Sequence, residues 1–289
     1  MVHRLLKPLA FAGLALFAAG GADMDENPDQ TLLERARIAV QQGRLDEGVK
    51  LATRAIEAAP KLAPAYILRG RIYASRRESK QAAAEFSQAL KWRPASADLY
   101  DLRGSEYFKL AEIDKSLSDF DKAVKLDPRR ERGHWKRGIT LYYAGKFDDG
   151  RRQFEAYQTF DDNDVENAVW RYLCMARAVG VKKARSDILN IKDDRRVPMM
   201  QVYALYAGKM SPDDVLGAVR AGNPTETQLN QRLFYAHLYL GLYYDAGGDK
   251  KRALEHIEKA DSHKIGHYMW DVAHVHRQLL RKSLKPPGR

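Results

Sequence analysis

The histidines near the C-terminus have spacings that could serve a metal site. His263 and His267 are four residues apart, which on a helix would present two imidazoles to one zinc ion. Gly266 lies between them and disfavours a continuous helix. His274 and His276 are two residues apart and would project to different sides of a helix. We therefore interpret this segment as amphipathic filler and predict no metal site.

Two other stretches resemble ligand-binding loops without meeting their requirements. Residues 161–166 contain four carboxylates, but no glycine stands at the sixth place and Tyr172 occupies the twelfth, where a calcium loop needs glutamate. We interpret this acidic run as a solvated turn that caps the next helix. Gly138 and Gly145, followed by Lys146, resemble a phosphate loop, but six residues separate the glycines where four are required.

The sequence has no catalytic signature. G-x-S-x-G, H-E-x-x-H and G-x-G-x-x-G are all absent from its 289 residues. The one cysteine, Cys174, can form neither an intramolecular disulfide nor a four-cysteine metal site. We therefore predict no catalytic residues, no metal, no cofactor and a protein that is not an enzyme. The formal net charge of +11 favours acidic partners.

The N-terminus has the composition of a secretory signal peptide. Arg4 and Lys7 precede the apolar run 9–19, and the small residues 20–22 follow it. The alternative is an uncleaved anchor, but 15 apolar or small residues from Pro8 to Ala22 are fewer than the ~20 that a spanning helix needs. We expect cleavage near Ala22, an exported mature chain in the periplasm or outside the cell, and no contact with nucleic acid. No cysteine at the end of the run could carry a lipid.

The chain repeats itself every 34 residues, and this period sets the elements that must position any site. Four units follow, 29–62, 63–96, 97–130 and 131–164, each with the apolar spacing of two helices. The repeated residues are small at the helix crossings, aromatic beside them, and proline where the second helix must end: Gly70, Gly104 and Gly138; Ala55, Ala89 and Ala123; Phe86, Phe120 and Phe154; Pro60, Pro94 and Pro128.

This pattern resembles the tetratricopeptide repeat (TPR), a 34-residue helix–turn–helix unit. The resemblance implies an all-α superhelical solenoid. After a signal peptide over residues 1–22, we expect four regular units within 23–164, degenerate and compressed repeats over 165–233, a final unit with a cap helix over 234–282, and a basic tail over 283–289. The two short helices of the compressed part are predicted from Met199 to Tyr206 and from Pro212 to Val219.

The C-terminal half also resembles the bacterial lipoprotein NlpI family. The likeness lies in residues 170–173, 202–208, 239–244 and 247–249, in that order along the chain. That family consists of periplasmic TPR adaptors that dock proteases and peptidoglycan hydrolases, and the resemblance also implies a homodimer. This chain lacks the lipidated cysteine, so outer-membrane anchoring is not expected.

Arginine occupies the seventh position of the four regular units and of a degenerate fifth unit at 165–198. It could form a cationic ladder for an anionic polymer or an acidic peptide. Alternatively, each guanidinium pairs with a carboxylate on the second helix of its unit, and Glu85, Asp119 and Asp187 stand at the right position for this. We favour the second interpretation. The five residues are Arg35, Arg69, Arg103, Arg137 and Arg171.

The predicted binding surface is the concave groove of the solenoid. In TPR arrays the first helices of the units line this groove, and aromatic and arginine side chains dominate peptide interfaces. The candidates include three large aromatics and charges of both signs: Arg37, Arg71, Asp101, Ser105, Phe108, Arg132, Trp135, Ile139 and Tyr142.

These observations predict a non-enzymatic adaptor of the bacterial cell envelope that binds a partner protein or peptide in its groove. An envelope protease or a peptidoglycan hydrolase is the partner that the NlpI resemblance implies. The alternative is direct binding of an anionic envelope polymer or lipid surface through the basic stretches 69–80, 129–137 and 281–289. Membrane association would follow only from an uncleaved leader.

Overall fold

The repeated units fold into packed pairs of helices. The computed structural model describes residues 28–284, so the predicted signal peptide and the last five residues of the tail lie outside the described residues. No strand occurs in residues 28–284, in agreement with the all-α prediction. The first eight helices are α1 (Pro28–Gln41), α2 (Leu45–Ala58), α3 (Ala63–Ser75), α4 (Ser79–Trp92), α5 (Ala97–Lys109), α6 (Ile113–Leu126), α7 (Trp135–Tyr143) and α8 (Phe147–Gln158).

The second half is less regular, as the weaker repeat pattern predicts. Its long helix α13 begins at residue 226 instead of 234, because Thr225 and Gln228 form a capping box that starts the helix early. The helices are α9 (Val165–Val179), α10 (Val181–Ser186), α11 (Met199–Tyr206), α12 (Pro212–Ala218), α13 (Glu226–Ala246), α14 (Lys250–Ser262) and α15 (Tyr268–Leu284).

The repeated glycines allow the two helices of a unit to touch. A Cβ atom at Gly138 would lie 2.7 Å from Cζ of Phe154, and one at Gly104 would lie 3.0 Å from the ring of Phe120. Both phenylalanines are buried. The glycine and the aromatic residue of each unit therefore form one packing contact, as their common period predicts.

Gly138→Ala is expected to destabilise the protein by about 1–3 kcal/mol, because the added methyl group must displace the packed ring of Phe154. Alanine is otherwise the better helix former by about 1 kcal/mol. Gly217→Ala is the matched control, since a Cβ at Gly217 in α12 would meet no atom within 4 Å, and this variant should be as stable as the wild type or more stable. Urea unfolding of both variants checks the difference, and equal stabilities would contradict the packing argument.

The seventh-position arginines join neighbouring units. Arg103 on α5 donates to both carboxylate oxygens of Asp119 on α6, at 2.7 and 2.8 Å, and to Oγ of Ser87 on α4 at 3.1 Å. One guanidinium thus connects three helices of two units. The same pattern, sixteen residues forward and sixteen back, recurs at three further arginines: Arg69 with Glu85 and Thr53, Arg137 with Gln153 and Asp121, and Arg171 with Asp187 and Glu155. The predicted pairing with Glu85, Asp119 and Asp187 is therefore confirmed.

Candidate functional site

The concave face is the surface formed by the first helices of the regular units, α1, α3, α5 and α7. The C-terminal helix α15 packs against α14, as a cap helix should, but it also contacts α5 of the third unit. The chain therefore covers part of its own concave face. This arrangement was not predicted, because α15 was expected only to shield the last repeat from solvent.

Tyr268 at the start of α15 makes the central contact with this face. Its ring lies 5.5 Å from the ring of Phe108 on α5 and 5.4 Å from that of Trp135 on α7, measured between centroids. Nζ of Lys136 lies 5.6 Å from the centroid of the same ring. Aromatic contacts of this kind add about 0.5–1.5 kcal/mol each beyond area burial. Tyr268 thus fastens α15 to two of the first helices.

Two polar contacts also hold α15 against the concave face. Arg77 pairs with Asp271 and lies with its guanidinium carbon 4.1 Å from the ring centroid of Trp270. The hydroxyl of Tyr143 lies 3.1 Å from Nδ1 of His276. Arg77 has a φ of 63°, a left-handed conformation that non-glycine residues rarely adopt. An arginine is therefore present in a turn that would favour glycine, and its side chain holds the C-terminal helix.

The predicted groove residues Phe108, Ile139 and Tyr142 are core residues in this structure. Each is at most 5% exposed. Tyr268 covers Phe108, while Trp170 of α9 packs on Tyr142 at 5.5 Å and Arg177 donates to its hydroxyl. The expectation that Phe108 and Tyr142 line an open groove is wrong, because α15 covers the first and α9 covers the second. Ile139 is buried as well, but it lines the cavity described below.

Asp101 and Ser105 are engaged within the chain. Nζ of Lys136 lies 3.0 Å from the carboxylate of Asp101 and 3.1 Å from Oγ of Ser105, and His134 approaches Asp101 at 3.3 Å. Ser105 also donates to the carbonyl of Asp101. These two candidates connect α5 to α7, and neither is an open contact on the concave face.

The remaining candidates are accessible. Arg37, Arg71 and Arg132 are exposed, and Trp135 is half-buried. The three arginines belong to the first, second and fourth units. Trp135 is the aromatic candidate that is not buried, and it lies at the edge of the surface that α15 covers.

The buried imidazole of His276, on α15, makes the stability of the folded protein sensitive to acid. Burial lowers the pKa of His276 to about 4, and the nearby carboxylate of Asp245 offsets this only in part. The imidazole in the unfolded chain has a pKa of about 6.5. As the pH falls below about 6.5, the unfolded state takes up this proton first, so stability is lost progressively down to about pH 4.

His276→Gln is expected to reduce the loss of stability on acidification by roughly 2 kcal/mol at pH 5, because the linkage between unfolding and protonation of His276 is removed. The comparison with wild type is necessary because Asp164 acts in the opposite sense. Its pKa is raised to about 6, so it favours the folded state as the pH falls. Urea unfolding of both proteins at pH 7.5 and pH 5 tests this, and equal losses would contradict it.

A cavity of about 180 Å³ remains open on the concave face beside the start of α15. It lies between α7, α8, α9 and the residues that precede and begin α15. The lining contains aromatic side chains and charged ones. Its lining residues are Trp135, Ile139, Phe154, Tyr157, Asp164, Glu166, Asn167, Trp170, Arg196, His267 and Met269.

The charged side chains at the cavity include more carboxylates than cations. Arg196 lies 2.7 Å from Asp164, 2.7 Å from Glu166 and 2.6 Å from Asp194. Burial and the neighbouring Glu166 raise the pKa of Asp164 to about 6, although Arg196 lowers it in part. Burial also lowers the pKa of His267, so this imidazole brings no positive charge at pH 7. At that pH three carboxylates surround one guanidinium.

Two hydrogen-bonding groups in the cavity wall are unsatisfied. Asn167 and Trp170 are 3% and 2% exposed, yet Oδ1 of Asn167 and the indole N–H of Trp170 have no hydrogen-bond partner among residues 28–284. Buried polar groups are nearly always paired, and leaving one unpaired costs about 1–3 kcal/mol. The two residues are three apart on α9 and share one face of the helix. Both residues line the cavity, and each has one hydrogen-bonding group without a partner.

The sequence pattern indicated part of this site but assigned it another role. Asp164 does cap α9, since its side chain accepts from the backbone N–H of Glu166. The prediction of a solvated turn is wrong for Asp164 and Glu166, because Arg196, about 30 residues further along the chain, donates to both carboxylates. Nothing local to the acidic run could have indicated that partner, and Asn167 and Trp170 were missed for the same reason.

Residues 28–284 contain no arrangement of side chains that could hold a metal ion and no helix that could span a membrane. No group of three or more histidine, cysteine, aspartate or glutamate residues in 28–284 is arranged to hold a metal ion. None of the helices in this range combines the length and hydropathy that crossing a bilayer requires.

Comparison with known proteins identifies the repeats. Family models of the tetratricopeptide repeat match residues 33–98 and 97–130. A tetratricopeptide repeat protein from Parabacteroides merdae is similar in structure, with 15% identity, a TM-score of 0.58, and coverage of 88% of this chain and 98% of that one. YrrB, described as a TPR protein with an unusual peptide-binding site, has 21% identity, a TM-score of 0.53, and coverage of 65% and 96%. MamA has 14% identity, a TM-score of 0.51, and coverage of 63% and 92%. At these identities the structural likeness shows the fold alone.

Proposed function

Because tetratricopeptide repeats match residues 33–130 of this chain, we propose that it is a non-enzymatic scaffold that binds a peptide segment of a partner protein on its concave face. The observation that carries the proposal is the cavity beside α15, where Asn167 offers a free acceptor and Trp170 a free donor. An extended peptide has an N–H and a C=O at each residue and can satisfy both groups at once. YrrB, which shares the fold, is described as having a peptide-binding site.

We place this scaffold in the bacterial cell envelope. The basic, apolar and small-residue order of residues 1–22 supports export. The resemblance of the C-terminal half to the NlpI family supports an envelope protease or a peptidoglycan hydrolase as the partner. The same resemblance is the basis for proposing a homodimer.

Binding of an anionic polymer through the basic stretches has less support from the contacts. In the stretch 69–80, Arg69, Arg76 and Arg77 are paired with carboxylates. In the stretch 129–137, Arg129, Arg130 and Arg137 are paired likewise. Arg71 and Arg132 are exposed, but they are in different units. Most of the positive charge in these two stretches is therefore balanced locally.

Affinity capture from envelope extracts tests the scaffold proposal. The Trp135→Ala protein should recover less of the partner than the wild type, because Trp135 borders the cavity. Trp92→Ala is the matched control, since Trp92 is 43% exposed at the end of α4, a second helix of its unit. Thermal melts establish that each variant is folded. Equal recovery by all three proteins would exclude the concave face, and recovery of polymer without protein would favour the alternative.

Export has a separate test. Protein purified from the periplasmic fraction should begin at Asp23, the residue after the predicted cleavage site, as measured by intact mass. An unprocessed chain that stays in the cytoplasm would contradict the envelope proposal and leave the peptide-binding proposal standing.

A further inference from the structure

We propose that the cavity beside α15 receives the side chain of a lysine or arginine from the partner peptide. This inference rests on the proposed peptide-binding function and specifies its ligand. The cavity combines an excess of carboxylates, aromatic faces and unsatisfied hydrogen-bonding groups at one place, and a basic side chain on a peptide is complementary to all three.

The carboxylates provide the charge. Asp164 and Glu166 line the cavity, and Asp194 stands behind Arg196 at 4% side-chain exposure. Arg196 is the only cation in the lining, and its Nε and both terminal nitrogens are already bonded to these three carboxylates. An entering carboxylate would have to displace one of those bonds, whereas an entering cation meets uncompensated negative charge. Charge-assisted hydrogen bonds are about twice as strong as neutral ones.

The aromatic residues favour a cation that carries an aliphatic stem. Trp135, Tyr157 and Trp170 line the cavity together with the carboxylates. The face of an aromatic ring attracts an ammonium or guanidinium group by about 0.5–2 kcal/mol. Ile139 and Met269 give the methylene groups apolar contacts. The cavity is also much larger than the ~10–15 Å³ that a single water needs.

The peptide backbone accounts for the unsatisfied groups on α9. Oδ1 of Asn167 can accept from a backbone N–H, and the indole N–H of Trp170 can donate to a backbone carbonyl. Nδ2 of Asn167 is held by Gln158 at 3.0 Å, so the side chain is oriented before a ligand arrives. The carboxylates and aromatic rings of the cavity would thus bind the side chain of the peptide residue, and the polar groups of Asn167 and Trp170 would bind its backbone.

Selection from a displayed library of random twelve-residue peptides tests the inference. Selection against the wild-type protein should enrich peptides with lysine or arginine at one fixed position relative to the rest of the motif. Glu166→Gln, which keeps the shape of the side chain, should reduce this preference, because it removes one of the three carboxylates. Asp193→Asn is the matched control, because Asp193 is 63% exposed and does not line the cavity, and this variant should keep the preference.

The affinity of a selected peptide gives a measurement that does not depend on any protein variant. Replacing its basic residue with norleucine should weaken binding to the wild-type protein by about tenfold or more in calorimetry, because the charge-assisted bonds are lost. Peptides enriched without a basic residue, or equal affinity of the norleucine peptide, would overturn the inference and leave the peptide-binding function intact. Failure to enrich any peptide above a blank surface would overturn both.

Discussion

Arg103→Ala is expected to lower the free energy of unfolding by about 3–5 kcal/mol, because it leaves the buried carboxylate of Asp119 without its partner. Asp119 is 5% exposed and receives two hydrogen bonds from Arg103, at 2.7 and 2.8 Å. The same substitution removes the bond to Ser87 and with it a link between the second and third units. Urea unfolding followed by far-ultraviolet circular dichroism measures the change.

Arg137→Ala is the matched control, because it removes arginine from the same position one unit later. Its partners are the neutral Gln153 and the 45% exposed carboxylate of Asp121, so a smaller loss of about 1–2 kcal/mol is expected. The double variant Arg103→Ala with Asp119→Ala should be more stable than the single Arg103→Ala variant, since no buried charge is left unpaired. If Arg103→Ala unfolded like the wild type, the arginines would again be candidates for a cationic binding ladder.

The regular units could be predicted from the sequence because their contacts are local. Gly104 and Phe120 meet within one helix pair, and Arg103 reaches sixteen residues forward and back. Such contacts repeat with the period of the chain and leave a visible pattern. The same reasoning placed the short helices α11 and α12 within a residue of their observed ends.

The concave face could not be predicted in the same way, because its state depends on segments far apart in the chain. Phe108 meets Tyr268, and Asp164 meets Arg196, and no repeat spacing connects the members of either pair. One local signal was present. The turns of the regular units have a left-handed residue every 34 positions, which is glycine at residues 43 and 145, alanine at residue 111 and arginine at residue 77. An arginine in a backbone conformation that favours glycine indicates that its side chain makes a contact whose energy offsets the backbone strain.

Phe108→Ala is expected to cost about 3–5 kcal/mol, the range for removing a fully buried phenylalanine. Phe108 has no exposed surface, and its ring contacts Tyr143 at 5.6 Å and Tyr268 at 5.5 Å. Phe160→Ala provides the control, because Phe160 is 68% exposed and its truncation should change stability by no more than about 0.5 kcal/mol. Urea unfolding of the two variants separates a seated α15 from an open groove.

The size of the Phe108 effect decides between two conformations of the concave face. If α15 left the groove in solution, Phe108 would lose its contact with Tyr268 and keep the one with Tyr143. Phe108→Ala would then cost less than the ~3 kcal/mol at the lower end of the range for a fully buried phenylalanine. If α15 is seated, Phe108→Ala and Tyr268→Ala should be coupled, and a double-mutant cycle should give an interaction energy of about 0.5–1.5 kcal/mol. With α15 in place, a peptide can reach the open cavity at the edge of α15 but not the full groove. The contacts of Tyr268 therefore determine how much of the concave face a partner can reach.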